Sequence, residues 1–304
     1  DAIDRLAAHA AAGRDVELLA GGHGLVPALK AGDRSPDAVV DLDVDALVGV
    51  DAREDHLAVG ALTTYATLAK DDAVRTHAPV LADAVAAVGD RQIRNRGTLG
   101  GNLAEAHPAA DPPAAVLAAG ATLVCRSRDG EREVAVDDFF RGDRETALEP
   151  GEILTEIRVP RRADARGAYA RRTHPATGYA TVGVAAVLRS DDGRVADARV
   201  AATGVRDRPV RLRSVEATLA GTAVGETDEG RADDEDGADD EDGAVPTGVV
   251  ADAAAAAPGS VDASRARSDA SVSGEFRTRL LEPCADRALS AAVGRAGLLP
   301  SRND

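Results

Sequence analysis

The sequence predicts an α+β protein of two parts, and three observations support this prediction. Its 304 residues exceed the length at which single hydrophobic cores usually stop growing. In the first half, apolar stretches at strand spacing alternate with stretches at helical spacing. In the second half, β-like stretches separated by glycine-containing turns precede helical patterns. We expect a mixed first domain over residues 1–160 and a small antiparallel sheet with helices over residues 161–304.

Residue spacing, caps and turn residues predict the elements of the first domain. Helices are expected at 1–12, from Tyr65 behind a Thr64 cap, at 80–88 up to Gly89, and at 114–119. Strands are expected at 17–20, 39–42, 57–60, 121–126, 132–136 and 153–159. The connections are expected to be a turn at 51–55, a polar segment at 90–96 and a glycine loop at 97–102.

The second domain combines β-like stretches, helices and one acidic segment. Strands are expected at 168–170, 181–188 and 195–203, and helices at 214–220 and 276–292. Residues 226–243 contain the hexapeptide Ala-Asp-Asp-Glu-Asp-Gly twice in tandem. A stretch this acidic buries too little apolar surface to order itself, so we predict a disordered insert. A calcium site is the alternative, although the EF-hand spacing is absent.

The composition indicates the habitat of the protein and the make-up of its hydrophobic core, and it says little about the chemistry that the protein performs. The net charge of -16 repels nucleic acid and anionic lipid surfaces, so neither is an expected partner. Only Lys30 and Lys70 are lysines, and the acids are spread along the chain. This combination is typical of proteins adapted to high salt, and a GC-rich genome is the other explanation. With 2% aromatic residues, no Trp and no Met, the core must consist mainly of Ala, Val and Leu.

Cysteine spacing and hydropathy exclude several classes of protein. Cys125 and Cys284 have no CxxC partner, so this chain alone can assemble neither a structural zinc site nor an iron–sulfur cluster, and no metal ligands are predicted. No apolar stretch approaches the roughly 20 residues of a membrane span. We expect a cytoplasmic protein. Because the chain opens with a helix and lacks Met, we also expect its natural start to lie upstream.

Two glycine segments are the strongest candidates for a binding site. Residues 20–24, Ala-Gly-Gly-His-Gly, follow a predicted strand, where backbone N–H groups are free to converge on an anion. Residues 96–102, Arg-Gly-Thr-Leu-Gly-Gly-Asn, form a second glycine-rich segment of this kind. Neither segment matches GxxxxGK[ST] or GxGxxG, which disfavours a triphosphate or Rossmann site. Two such segments suit a cofactor that contains a pyrophosphate.

Longer motifs around these segments resemble a known family. The motifs are Ala-Gly-Gly-His-Gly-Leu-Val-Pro at 20–27, Gln-Ile-Arg-Asn-Arg-Gly-Thr-Leu-Gly-Gly-Asn-Leu at 92–103 and His-Pro-Ala-Ala-Asp at 107–111. In sequence, order and spacing they resemble the FAD-binding signatures of the molybdenum hydroxylase flavoprotein subunits, as in xanthine dehydrogenase and aerobic carbon monoxide dehydrogenase. Further likeness at 151–160, 176–186 and 274–277 extends the resemblance over nearly the whole chain.

The resemblance implies a fold and a cofactor. The fold is a two-lobed FAD-binding domain of the vanillyl-alcohol-oxidase (PCMH) type, with lobes at about 1–50 and 51–160. A C-terminal domain of the carbon monoxide dehydrogenase flavoprotein type follows. Family members begin with a strand upstream of Asp1, so the strand around Leu18 is expected to lack one neighbour. The implied FAD-binding residues are Ala20, Gly21, Gly22, His23, Gly24, Thr98, Leu99, Gly100, Gly101, Asn102, Asp111, Arg171 and Tyr179.

The resemblance also implies a role and partners. The chain would pass electrons from an iron–sulfur small subunit to a terminal acceptor, within a heterotrimer that includes a large molybdenum-cofactor subunit and forms dimers. No catalytic acid, base or nucleophile is required of such a chain. Asp111 has an alternative role as the N-cap of the following helix, and Tyr179 as an ordinary packed ring. A stand-alone flavin oxidoreductase and a cofactor-free assembly protein are the alternative functions.

Overall fold

The computed structural model describes residues 2–162, 165–191, 194–223 and 247–295. The acidic insert predicted at 226–243 lies outside the described residues. Within them the chain forms two lobes followed by a sheet that carries helices on one face.

The first lobe is a small parallel unit. Its elements are α1 (Ala2–Ala11), β1 (Val16–Leu19), α2 (Leu25–Ala31) and β2 (Ala38–Asp41). β1 pairs in parallel with β2, with Val16 opposite Ala38 and Leu19 opposite Asp41. Among the described strands β1 pairs with β2 alone, so its other edge has no strand beside it.

The second lobe contains a five-stranded antiparallel sheet. Its elements up to the longest apolar helix are β3 (Val50–Ala52), β4 (His56–Gly60), α3 (Tyr65–Leu68), α4 (Asp72–His77), α5 (Pro79–Ala87), α6 (Arg91–Arg94), α7 (Leu99–Glu105) and α8 (Pro112–Ala119). The remainder are β5 (Thr122–Ser127), β6 (Gly130–Ala135), α9 (Val136–Phe139), β7 (Phe140–Gly142), β8 (Glu145–Thr146) and β9 (Ile153–Pro160). The sheet order is β3-β4-β9-β5-β6, and β7 and β8 form a separate small hairpin.

The C-terminal part is an antiparallel sheet with helices. Its elements are β10 (Ala165–Thr173), β11 (Ala180–Asp191), β12 (Arg194–Thr203), β13 (Val210–Arg211), α10 (Arg213–Leu219), α11 (Thr247–Ala255) and α12 (Gly274–Gly294). The four strands pair in sequence order, as short connections between antiparallel strands favour. Short 3₁₀ turns lie at Asp45–Leu47, Ala257–Ser260 and Ala263–Arg265. Of the helices in the described ranges, none has both the length and the apolar character to cross a membrane.

Small apolar side chains join the two parts. Every residue of α8 is buried, as expected for a helix that is apolar on all sides and lies between layers. On β11, Ala185 belongs to the core of the first part, whereas its neighbours Val184 and Ala186 belong to the core beneath the C-terminal helices. Successive side chains of a strand point to opposite faces, so β11 is buried on both sides and reads as a continuous apolar stretch. The prediction of an Ala, Val and Leu core is confirmed.

Arginines of the second part also hold the two parts together. Arg295, just after α12, donates two hydrogen bonds to Asp83 on α5, at 2.8 and 2.9 Å. Arg199 on β12 donates to the carbonyls of Leu117 and Ala118 at the end of α8, at 3.0 and 3.2 Å. Carbonyls of the last helical turn can accept such charged donors, so α8 is fixed to the C-terminal sheet at its end.

Most predicted elements of the first domain are confirmed, and three connections are wrong. Thr64 caps α3 as predicted, and β5 and β6 form the predicted hairpin around Gly130. The turn expected at 51–55 begins as strand, because β3 pairs with β4 as far as Ala52. The polar segment contains the helical turn α6, which Asp90 caps. The glycine loop at 97–102 becomes helix from Leu99.

Most of the elements that the pattern missed are short. They are α2, α4, α6, α7, α9, α11, β3, β7, β8 and β13. Six of the ten span two to four residues, too few for a period of 3.6 or 2 to stand out. Contacts with neighbouring elements, rather than a local sequence pattern, stabilise such short elements.

Candidate functional site

A cavity of about 490 Å³ lies where both lobes and the C-terminal sheet meet. This volume is within the usual range for small-molecule and cofactor sites. Its wall includes residues 20–24 after β1, the start of α7, and the turn between β10 and β11. Eleven of the thirteen predicted residues line it, namely Ala20, Gly21, Gly22, His23, Gly24, Thr98, Gly100, Gly101, Asn102, Asp111 and Tyr179.

The two glycine segments touch each other through their backbones. A Cβ on Gly21 would lie 2.2 Å from the carbonyl oxygen of Arg96 and 2.8 Å from Cα of Gly97. Only glycine permits that approach. Gly22 adopts φ +79°, a left-handed conformation that L side chains rarely take. Gly21 therefore lets the two segments meet at one side of the cavity, and Gly22 lets the chain turn from β1 into α2.

The segments differ in what their backbone can offer to a ligand. Among the described residues, no acceptor bonds the N–H groups of residues 21–24. In contrast, the N–H of Leu99 bonds the Thr63 carbonyl at 3.0 Å and that of Gly100 bonds the Ala61 carbonyl at 2.8 Å. Thr98 is the N-cap of α7, and its hydroxyl accepts from the N–H of Gly101 at 3.2 Å. Free donors for an anion thus lie in the first segment.

Two residues of the second segment serve packing. Leu99 is fully buried in the core of the first domain and does not line the cavity. A Cβ on Gly100 would lie 2.5 Å from Cβ of Ala61, so Gly100 permits close packing of α7 on the end of β4. A Cβ on Gly101 would instead meet the Thr98 hydroxyl at 2.7 Å and Cβ of Ala20 at 3.3 Å. Of these two glycines, Gly101 faces the first segment.

Asp111 is locked by the C-terminal sheet. Its carboxylate accepts hydrogen bonds from the hydroxyl of Tyr169 at 2.5 Å and from Nη1 of Arg171 at 2.8 Å, both on β10. Burial raises the pKa of Asp111, and the Arg171 charge and the Tyr169 hydroxyl limit that rise. Asp111 is the N-cap residue of α8, as the alternative expected, but its side chain makes no capping bond to the helix. Arg171 does not line the cavity and reaches it through Asp111 and the Gly178 carbonyl.

Tyr179, which lines the cavity, stacks on a histidine that is not part of the lining. The rings of His107 and Tyr179 lie 4.3 Å apart with an interplanar angle of 24°. Nδ1 of His107 accepts from the N–H of Ala109 at 3.1 Å. Burial and, next, the charge of Arg144 lower the pKa of His107 to about 4. The imidazole is therefore neutral near pH 7 and acts as an aromatic surface.

Backbone bonds fasten this wall to the C-terminal part. The buried hydroxyl of Thr203 lies 3.0 and 2.8 Å from the carbonyl oxygens of Pro108 and Ala110, which share its single proton. The N–H of Gly204 donates to the Pro108 carbonyl at 2.8 Å, and that of Ala180 donates to the Ala109 carbonyl at 3.3 Å. Residues of both domains therefore form this surface.

Four acidic residues lie in the cavity wall, and sequence reasoning singled out only Asp111 among them. Each makes an ion pair: Glu17 with Arg34, Glu105 with Arg144, Asp111 with Arg171, and Glu152 with Arg132, at 2.6 to 2.9 Å. Asp111 lies in the motif at 107–111 and Glu152 in the likeness at 151–160, whereas Glu17 and Glu105 lie outside the motifs. The partners are far apart in sequence or in unremarkable loops, so no local pattern could have identified them.

FAD fits the chemistry of this wall. The amide oxygen of Asn102 is buried, and among the described residues nothing donates a hydrogen bond to it. A buried acceptor of this kind needs a donor, and FAD carries several hydroxyl groups. The free N–H groups of residues 21–24 suit the pyrophosphate. The ring of Tyr179, which lines the cavity and stacks on His107, suits a planar ring.

Comparison with known proteins agrees with this site. A family model described as the FAD binding domain in molybdopterin dehydrogenase matches residues 1–162, and one described as the CO dehydrogenase flavoprotein C-terminal domain matches residues 168–229. The chain is 36% identical to the carbon monoxide dehydrogenase medium chain of Hydrogenophaga pseudoflava, over 69% of this chain and 74% of that one. It is 29% identical to the xanthine dehydrogenase FAD-binding subunit of Escherichia coli O157:H7, over 98% and 94%.

A solved structure agrees over the same span. It is carbon monoxide dehydrogenase from Hydrogenophaga pseudoflava lacking the Mo-pyranopterin moiety of the molybdenum cofactor, with a TM-score of 0.83 and 31% identity over 97% of this chain and 94% of that chain. Fold and cavity define an oxidoreductase subunit that binds FAD. The chain belongs to the family of FAD-binding subunits of molybdenum hydroxylases, and the predicted fold class is confirmed.

Replacing Gly21 with alanine tests the contact between the two segments. We expect FAD to bind at least about tenfold more weakly and the free energy of unfolding to fall by about 1–3 kcal/mol, because the new Cβ overlaps the Arg96 carbonyl. Flavin titration and urea unfolding measure the two effects. Gly248→Ala on α11 is the matched control, since its Cβ would meet nothing within 4 Å. Unchanged FAD affinity in Gly21→Ala would show that this contact does not shape the site.

The lowered pKa of His107 predicts a pH dependence of stability. The folded value is about 4, below the roughly 6.5 of an unfolded chain. The folded state thus binds fewer protons between these values, so the free energy of unfolding falls as pH drops from about 6.5 to 4. In His107→Gln this loss should be smaller by about 2 kcal/mol, allowing for the partly exposed ring. Parallel unfolding curves for parent and variant across that range would contradict the assignment.

Proposed function

We propose that this chain is the electron-transfer subunit of a molybdenum hydroxylase, receiving electrons from an iron–sulfur subunit and passing them to a terminal acceptor. Its partners would be that small subunit and a large subunit with the molybdenum cofactor, in a heterotrimer that forms dimers. The observation that carries the proposal is the cavity between two glycine segments and the C-terminal sheet in a chain of this family.

The residues divide into parts with different tasks in this proposal. Residues 21–24 supply N–H donors to the pyrophosphate, and Asn102 accepts from a hydroxyl. Asp111 and Tyr179 would border the flavin ring. When bound, FAD supplies redox chemistry that proceeds by single electrons or by pairs. The chain divides functionally at about residue 160, with the cofactor between residues 1–160 and 161–304.

The charged side chains of the wall favour a relay over chemistry on a bound substrate. A general base needs an available carboxylate or imidazole within reach of the reacting proton. Each acid that lines the cavity is held in an ion pair, and the pKa of His107 near 4 leaves its Nδ1 as a backbone acceptor. The ion pairs neutralise charge in the wall, and His107 helps to orient the backbone beside it. This supports electron relay rather than a stand-alone oxidase.

Coexpression with candidate iron–sulfur and molybdenum-cofactor subunits from the same genome tests the proposal. We expect a stable complex on size-exclusion chromatography, and loss of the flavin absorbance when the chemically reduced iron–sulfur subunit is mixed anaerobically with the FAD-loaded chain. The FAD-free chain is the control. A chain that stays monomeric, is not reduced by the iron–sulfur subunit, or oxidises a substrate unaided would refute the assigned role.

A further inference from the structure

Acidic side chains in the cavity wall raise an electrostatic problem. The lining includes Glu17, Glu105, Asp111 and Glu152. A pyrophosphate brings two further negative charges, and the chain as a whole carries a net charge of -16. Like charges at a few ångströms repel strongly where water is partly excluded. Unpaired carboxylates here would oppose binding.

The fold pairs each of these acids with an arginine from another element. Arg34 follows α2, Arg132 lies on β6, Arg144 lies in the β7–β8 turn and Arg171 lies on β10. The N–O separations are 2.9, 2.6, 2.6 and 2.8 Å in that order. All four pairs join residues distant in sequence or in different elements, so the pairing is a property of the assembled site. The wall is close to neutral as a result.

The Glu105–Arg144 pair lies against the segment that has free N–H groups. A Cβ on Gly24 would lie 1.9 Å from Oε2 of Glu105, so this carboxylate packs directly on the backbone of Gly24. Nη1 of Arg144 donates to Oε1 of Glu105 at 2.6 Å. Both side chains line the cavity. Of the four acids, Glu105 is the one shown in contact with the first glycine segment.

The backbone of Arg144 indicates that its side chain matters. This residue adopts φ +57°, a left-handed conformation that glycine takes without cost and other L residues take at about 1 kcal/mol or more. Its N–H donates to the carbonyl of Ala106 at 3.3 Å, which fixes the turn beside the end of α7. Glycine would remove the backbone strain at this position, yet the residue is an arginine whose side chain bonds Glu105.

We propose that these arginines neutralise the carboxylates of the wall so that the cavity accepts a pyrophosphate, and that Arg144, through Glu105, sets the affinity for FAD. Arg144 is a positioning and charge-compensating residue, and it need not touch the cofactor. The inference rests on the proposed FAD site. It predicts that loss of the Arg144 charge weakens FAD binding whereas loss of the Glu105 charge does not. A purely structural ion pair would not predict this difference.

A double-variant cycle on the purified full chain, stripped of flavin, tests this proposal. Arg144→Gln leaves Glu105 unpaired, so the Kd for FAD should rise by about tenfold or more. Glu105→Gln leaves Arg144 unpaired, so the Kd should stay equal or fall by about threefold. The double variant should return to within about threefold of the parent. Fluorescence titration measures the affinities, and thermal unfolding of each flavin-free chain reports folding.

The control is Arg279→Gln, which breaks an ion pair on α12 whose side chains are 68% and 81% exposed. It should leave the Kd unchanged. The proposal is overturned if Arg144→Gln binds FAD as the parent does, or if Glu105→Gln weakens binding as much as Arg144→Gln. A double variant as weak as Arg144→Gln would also overturn it, since Arg144 would then bind the cofactor directly. A parent chain that binds no FAD would instead refute the proposed site itself.

Discussion

The site depends on the backbone contact between Gly21 and the carbonyl of Arg96. A Cβ at residue 21 would lie 2.2 Å from that oxygen, so any other residue would push the first lobe away from the second. The contact sets the distance between β1 and α7 and hence the width of the cavity. The remaining glycines are secondary to it: Gly22 turns the chain, and Gly100 lets α7 pack on Ala61.

The second constraint is the joint between the domains. Residues 107–111 belong to the first domain, yet their carbonyls accept from Thr203 and Gly204 of the second. Asp111 and Tyr179 therefore hold their places only when the C-terminal sheet is docked. An alanine-rich α8 and the doubly buried β11 make that docking close-packed, because small side chains let layers approach.

Sequence reasoning predicted what short motifs and period encode. Thr64 capping α3, the hairpin of β5 and β6, and a cavity lined by most of the glycine motif residues are such features. It was wrong where contacts with residues distant in sequence determine the local structure. Residues 97–102 were expected to be a loop, but Thr98 caps a helix there and the backbone of residues 61–63 accepts its first N–H groups. Arg171 bonds Asp111 and does not line the cavity, and its role towards the cofactor stays a prediction. Arg144 carried no signal because its partner lies 39 residues away.

The central claim is that the cofactor's phosphates are held by the first glycine segment, since residues 99–102 of the second bond their N–H groups within the protein. Hydrogen–deuterium exchange of the full chain with and without FAD tests this most directly. The account predicts that FAD slows exchange at residues 21–24, with little change at 99–102, whose amides are already bonded. Protection confined to residues 99–102, with none at 21–24, would contradict it.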